Sequence, residues 1–599
     1  MPNPPDLSGL SDLSHVSDLS HVSDPLRWVR EDVRSVPHLD DRVAGRCPVR
    51  AQLDAAPPSV PSAASPAGLR RLERVRERRE QVLAELAAAT GALVLDDTPT
   101  DRTRAEVATT QALADGVPVV VHPALPQDHA GRRRGAPDAL LAAPSGGYHP
   151  LLVRDHRTVS TNGRDLPARF ATLSSPALDA AAPHEERRAR RRRDDQLALA
   201  HHHRLLQACG HAAPAAWGAV VGVEHEVVWT DLTAPTWRTP SRSRGYASRS
   251  ALEVYDFEFG FRLDVVAAAG RGEERVVPVR TRECGECPWW GHCGAVLEAQ
   301  DHVSLLPGAT WNRWVVHRDR GVRTVADLAR RRHDDPAYDG TRVDIAASVD
   351  LARARLAASP VVRRRGTGRL AVPRAQVEVD IDLENVESGV YLWGALVTDR
   401  TGGAAPVEEG YRSFTTWDPE PGRHEVAVAE AFADWLDGVR AAVHGAGLTL
   451  AVYCFNEKAE AGALRRLATL PGAAPGRATW VEELVGSSEW VDLYLLARDH
   501  LLTGTSMGLK YLARAAGFDW EDDDPGGEQS MEWHRLAVGA TEAPVRAANR
   551  HRILTYNRND TEATLALREW LDRHGHDLPS AADLGPTGEL IVRSDNMTG

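Results

Sequence analysis

Lysine is almost absent from this chain. Of its 71 basic residues only Lys458 and Lys510 are lysines, and both come late. A GC-rich genome that favours arginine codons accounts for the bias. Its consequence is firm: a mechanism that needs a lysine before residue 458 is excluded. Cysteine is also scarce, with six in 599 residues. No apolar run approaches the roughly 18 residues of a membrane span, which argues against a membrane-embedded chain. The N-terminus has no basic stretch followed by an apolar core, so no signal peptide is expected and the cytoplasm is the expected compartment. There, clustered cysteines mean metal binding or catalysis rather than disulfides. A net charge of −13 does not suit a general polyanion binder, so any nucleic-acid contact must come from local basic patches. What is present is ordinary for a soluble globular protein: 42% hydrophobic and 26% charged residues, in a chain long enough for two large domains.

Three of the six cysteines, Cys284, Cys287 and Cys293, share the stretch CGECPWWGHC, and Cys47 in GRCPVR is the next plausible partner. Three close thiolates plus one remote one suit either tetrahedral zinc or an iron–sulfur cluster. The remote ligand argues for a clasp between the ends of one domain rather than a local finger. Cys209 and Cys454 sit in apolar runs and read as buried cysteines.

Five segments are expected. Residues 1–30, with the near-repeat SDLSHVSDLSHVSD, are too polar and short to fold alone. Residues 31–300 form an α/β domain. LERVRERREQVLAELAAAT and DDQLALAHHHRLLQACG read as helices; ALVLDD, VPVVVHPAL and HPLLVRDH read as strands. An arginine-rich helical connector follows over 301–370. A second α/β domain over 371–580 starts with the strand QVEVDIDL and ends in the helix NDTEATLALREWLDRHG. Residues 581–599 read as a tail.

The second domain carries the more complete chemistry. In VEVDIDLEN, Asp380, Asp382 and Glu384 stand at alternate strand positions, and side chains two apart share a face. Two such carboxylates can grip one divalent ion. Asn456 and Glu460 follow an apolar strand in VYCFNEKAE, and Asp492 follows another in WVDLY. Tyr556 and Asp560 lie four apart in YNRND, on one face of a helix. Acids scattered in sequence but ending strands and lining one helix face are what two-metal phosphodiester hydrolysis needs. Tyr556 could orient or deprotonate the attacking water.

The order Asp-x-acid, Asn-x3-acid and Tyr-x3-Asp resembles the tyrosine branch of the DEDD exonuclease superfamily, with its RNase H-like fold. The resemblance implies 3′–5′ exonuclease chemistry with two Mg²⁺ or Mn²⁺ ions. It implies Asp380 and Asp382 as the first motif, Glu460 as the second, and Tyr556 with Asp560 as the third. The first motif normally has Glu at its second acid, where this chain has Asp382, and the second has Asp where this chain has Glu460. A shifted strand register would let Glu384 replace Asp382. Cys47 with CGECPWWGHC resembles the 4Fe-4S clasp of RecB-like nucleases, which brackets a PD-(D/E)XK core. Together the two parts resemble RecB-like nucleases fused to a C-terminal RNase H-like domain.

A PD-(D/E)XK site needs a helical acid, an Asp, and acid-x-Lys on the adjacent strand. Glu80 and Asp138 fit the first two. The third reads Leu152 and Arg154; leucine binds no metal and arginine exchanges no proton. The core is therefore expected to be degenerate, unless Asp155, His156 and Asp138 form a repositioned site. Gln196 fits the family's glutamine-led helix, while His201 and His202 fill the region where tyrosine is usual. Such a domain can still bind DNA. The runs Arg132–Arg134 and Arg187, Arg188, Arg190–Arg193 are candidate phosphate contacts, or solvated faces with acids beside them. His201–His203 point in different directions on a helix and cannot share one ion. The expected function is a 3′–5′ exonuclease on DNA, single-stranded or frayed, with the first domain binding or positioning nucleic acid. The rival is a non-catalytic nucleic-acid-binding scaffold in which both sites are degenerate.

Overall fold

The computed structural model describes residues 36–591, apart from 64, 97–100, 161–167, 242–244, 369 and 523–525. The 1–30 repeat and the last eight residues of the expected tail lie outside the described residues. The chain divides into two compact units, one running to Pro278 and one from Val279 onward, with Ser65–Ala67 grouped with the second. The cysteine stretch 284–293 thus counts with the second unit and Cys47 with the first.

The first unit is built on a seven-stranded mixed sheet. In chain order its strands are β1 (Leu93–Val94), β2 (Val119–Val121), β3 (Ala139–Ala142), β4 (Tyr148–Val153), β5 (Ala168–Thr172), β6 (Trp217–Val221) and β7 (Glu226–Asp231); in space they run β1-β2-β3-β4-β6-β7-β5. β2, β3 and β4 are joined antiparallel, and β6 runs parallel to β4. Helix α1 (Pro66–Thr90) covers one face, where Val82, Leu83 and Leu86 meet Leu151 and Val153. Helix α2 (Arg193–Ala208) covers the other, where Leu197 and Leu199 meet Leu152 and Val220. Alternation along β4 feeds both cores, which is why the whole strand is buried and, apart from His149, largely apolar. Helix α3 (Ala251–Ala269) packs beside α2 and is started by a reciprocal Ser250–Glu253 capping box.

In the second unit four helices, Trp290–Ala299, Trp311–Arg318, Val325–Ala329 and Ile345–Leu356, precede a five-stranded sheet. Its strands are β8 (Val377–Val386), β9 (Gly389–Asp399), β10 (Gly410–Thr415), β11 (Leu450–Cys454) and β12 (Trp490–Asp492), in the order β10-β9-β8-β11-β12. The β8–β9–β10 meander is antiparallel, and β11 and β12 continue it in parallel. Val377, Val379 and Ile381 of β8 face helix α4 (Glu425–Gly445), packing with Phe432 and Leu436. The intervening Glu378, Asp380, Asp382 and Glu384 therefore face the opposite layer. That layer is led by a 32-residue helix, α9 (Ala543–His574), which follows α5 (Glu460–Leu467), α6 (Arg477–Val485), α7 (Leu509–Ala515) and α8 (Gly527–Gly539) and extends well upstream of the expected NDTEAT start. Leu567 and Leu571 of α9 pack on β11 and β12, and Ile553 and Tyr556 on β8 and β9. The chain stays folded beyond residue 580, where the tail was expected: Ala581 and Leu584 are buried with Ala354, Val362 and Leu502.

Candidate active site

Four acids on one face of β8 meet two different environments on α9. Near the start of the strand, Arg568 is fully buried and pairs with Glu378 and with Asp380, the latter at 2.5 Å. Glu378 also accepts from Arg374 Nε at 2.8 Å and from the Tyr453 hydroxyl at 3.2 Å. Burial pushes its carboxyl up, but the Arg374 hydrogen bonds and the Arg568 charge outweigh this and hold it at about 2. For Asp380 burial wins, and its carboxyl is pushed up to about 7 despite Arg568. Asp380 is thus one arm of a buried ion-pair network. Asp380, expected as the first metal ligand, therefore sits against a guanidinium, while Asp382 and Glu384 lie further along the strand.

Further along β8, Asp382 and Glu384 converge with Asp560 of α9. One carboxylate oxygen from each lies within 4.8 Å of the others, and this is the one such His/Cys/Asp/Glu trio among the described residues. The side-chain hydrogen bonds they receive come from neutral donors. Asn557 Nδ2 donates to Asp382 at 2.7 Å, and Asn557 Oδ1 accepts from the Tyr411 hydroxyl at 2.7 Å. Ser530 Oγ donates to Glu384 at 2.7 Å, and Trp520 Nε1 to Asp560 at 2.7 Å. Burial is the main cause raising all three carboxyls. Glu384 reaches about 8 and Asp560 about 6, while Asp382, partly exposed, is raised further by the charges of Asp560, Glu384 and Glu460.

Glu460 opens helix α5 (Glu460–Leu467) and is 3% exposed. One of its oxygens is buried with no hydrogen-bond partner, and burial pushes its carboxyl up to about 8. It stands outside the tight trio, although its charge is felt at Asp382. The loop before it is fixed by Asp492, which accepts from the backbone N–H groups of Asn456 at 3.0 Å and Glu457 at 2.9 Å. Asn456 itself adopts a left-handed conformation with φ 77°. Asp492 and Asn456, both singled out in the sequence, thus shape the loop.

A largely buried trio of carboxylates served by neutral donors, with the orphaned oxygen of Glu460 outside it, fits a hard divalent cation. Tyr556, one helical turn before Asp560, is 5% exposed and accepts a hydrogen bond from Lys510 Nζ at 3.2 Å. Burial and then the Asp560, Glu384 and Asp382 charges push its phenol well above the ordinary range. It stays protonated and suits orienting a water better than deprotonating one. Arg568, Asn557, Ser530, Trp520 and Lys510 are contributors that the sequence reading lacks. Arg568 carries one legible signal: it lies two turns beyond Asp560, on the same helix face.

The expected first-unit residues also come together, but as ion pairs. Asp138 accepts from Arg79 Nε at 2.6 Å and from the Val153 N–H at 2.6 Å, with Arg154 at 3.6 Å. Glu80 faces His122 at 3.0 Å and Arg79 at 3.6 Å. Arg154 reaches on to Asp195 at 2.8 Å, and His156 meets Asp195 at 3.0 Å. Asp155 turns instead toward Arg74 and Arg78, at 3.8 Å and 3.7 Å. Leu152, at the missing acid position, is a core residue. Guanidinium groups thus meet these carboxylates. Several arginines of the basic runs also have internal partners: Arg133 with Asp128, Arg187 with Glu226, and Arg193 with Glu258. His201, His202 and His203 are all buried. His201 bonds the Tyr255 hydroxyl at 2.8 Å, and Gln196 accepts from Trp237 Nε1 at 2.6 Å.

Around the cysteines, Cys47 caps the helix Pro48–Ala55, Cys287 ends a short 3-10 turn, and Cys293 lies in the helix Trp290–Ala299. The Thr281 N–H donates to Cys284 Sγ at 3.3 Å.

A family model described as RNase_H superfamily matches residues 386–572, from the last residue of β8 into the end of α9. The C-terminal part is RNase H-like, a nuclease-type domain. Asp382 and Glu384 lie just before the matched segment. No curated protein and no solved structure matches the chain. Among the described residues no helix is long and apolar enough to cross a membrane.

Proposed function

We propose that the second unit is a metal-dependent nuclease that shortens DNA from its 3′ end, and that the first unit binds or positions the nucleic acid. The observation that carries this reading is the carboxylate trio Asp382, Glu384 and Asp560, the first two just before and the third within the segment that the RNase_H superfamily model matches. With Glu460, these residues would hold Mg²⁺ or Mn²⁺. Such ions, when bound, activate water and stabilise the leaving oxygen of a phosphodiester. The chain's own part is positional. Asn557, Ser530 and Trp520 fix one oxygen each of the three carboxylates. Tyr556, protonated, offers its hydroxyl to a water beside Asp560. Preference for a single strand and for the 3′ end rests on the motif resemblance.

Incubating 3′- and 5′-labelled single-stranded DNA with Mn²⁺ or Mg²⁺ tests this. The wild type is expected to remove the 3′ label first, and Asp382→Ala/Asp560→Ala to remove none. Activity surviving in the double variant would move the chemistry to the first unit. The arginine-filled arrangement around Asp138 gives specific support to a second reading for that unit, as a binding module without its own hydrolysis. A 4Fe-4S cluster on Cys47, Cys284, Cys287 and Cys293 is a further proposal that rests on the resemblance of these cysteines to the RecB-like clasp, since their spacing alone suits zinc equally. Near-stoichiometric zinc instead of iron and sulfide in anaerobically purified protein would replace it with a structural zinc site.

A further inference from the structure

Both lysines of this arginine-dominated chain belong to the second unit, and one of them touches the site. Lys510 lies in the helix α7 (Leu509–Ala515), bonded to the Tyr556 hydroxyl at 3.2 Å, with its ammonium 5.2 Å from the ring centroid. Arg514, one turn on, lies 5.9 Å from the Trp520 ring, and Trp520 holds Asp560. Each cation is therefore one side chain removed from Asp560. Their other sides line an open groove of about 550 Å³ with Ser506, Gly508 and Tyr511. Arg514 is exposed, and its carboxylate neighbour, Asp519, is 3.8 Å away and largely in solvent. Such a pairing is weak and leaves the guanidinium available to an anion.

Charge explains why cations belong there. The acid cluster repels a phosphodiester, and ions that merely neutralise the four carboxylates leave the phosphate charge unmatched. A compact ammonium beside Tyr556 supplies that charge, and a guanidinium one turn away can grip the next phosphate. We infer that Lys510 and Arg514 form the phosphate-binding strip along which a single-stranded nucleic acid reaches the acid cluster. This deepens the nuclease reading and rests on it for the strand's destination.

The test measures binding of a fluorescein-labelled oligothymidylate by anisotropy across a salt series, with EDTA and again with Ca²⁺. Lys510→Met and Arg514→Gln are each expected to weaken binding about fivefold at low salt and to reduce the log–log salt slope by about 1. Lys510→Arg should restore the slope. In the Mn²⁺ assay Arg514→Gln should raise KM, and Lys510→Met should lower kcat. Melting curves matching wild type confirm that the variants are folded. Folded variants that bind with wild-type affinity and slope overturn the inference, whether or not the wild type cuts DNA. If the wild type cuts nothing but both variants lose slope, the strip stands and the nuclease reading falls.

Discussion

Arg568 decides which acids of β8 are available. Fully buried, it meets Glu378 and Asp380, and so leaves Asp382 and Glu384 as the pair without an adjacent guanidinium. Removing one partner of a buried ionic network strands the other charges, which costs about 3–5 kcal/mol. Arg568→Met should therefore lower stability by that order, read from chemical denaturation of the second unit. Asp380→Asn and Asp382→Asn separate structure from metal binding. The first is expected to keep Mn²⁺ affinity, with a neutral amide in place of a carboxyl that burial already pushes up to about 7. The second should lose Mn²⁺ affinity at least tenfold, with little change in stability. Titration calorimetry showing the reverse would restore Asp380 as a ligand.

The strand β9 shows how one backbone position serves the site. A Cβ added at Gly394 would lie 1.7 Å from Asn557 Oδ1, so the absent side chain makes room for the amide that orients Asp382. Gly394→Ala is expected to displace Asn557, cost about 1–3 kcal/mol and lower the nuclease rate. Asn557→Ala in the same background should cost little more, because the displaced amide is already lost. Legibility in the sequence divides at this scale. Alternation in QVEVDIDL shows the buried strand and its acidic face, and YNRND shows the helix face carrying Tyr556 and Asp560. The choice among acids on that face is invisible, because period two places Glu378, Asp380, Asp382 and Glu384 together. Only the meeting with Arg568, nearly 190 residues away in sequence, selects the pair. β9 and β10 have no counterpart in the sequence reading, and with them goes the reason for Gly394. In the first unit, the absence of early lysines excludes a lysine beside Asp138. It does not foretell that Arg79 would face Asp138.

Across the whole molecule the two acid arrays have different consequences for pH. In the first unit the carboxylates face arginines, whereas His149, His201 and His203 are held neutral mainly by burial, at about 4, 3 and 4. A lowered histidine pKa means that the unfolded chain takes up protons first, so stability is lost as pH falls below about 6.5 and is fully present above it. In the second unit Glu384, Glu460 and Asp380 are raised to about 8, 8 and 7. A raised carboxyl pKa has the opposite sense. The folded state keeps protons that the unfolded state has released, so stability falls as pH rises from about 4 to about 8. Lowered histidines in the second unit, His302, His317 and His534, at about 4 each, oppose this below about 6.5 but not above it. Between about pH 6.5 and 8, with EDTA, a melting transition of the second unit should therefore move down while that of the first stays level. A divalent ion binds the deprotonated site, so stabilisation by Mn²⁺ must grow over the same interval. Differential scanning calorimetry at a series of pH values, with and without Mn²⁺, reads both effects. Glu384→Gln should shrink both the downward shift and the Mn²⁺ gain. A Mn²⁺ gain that is independent of pH would mean that the raised carboxylates are not the ligands.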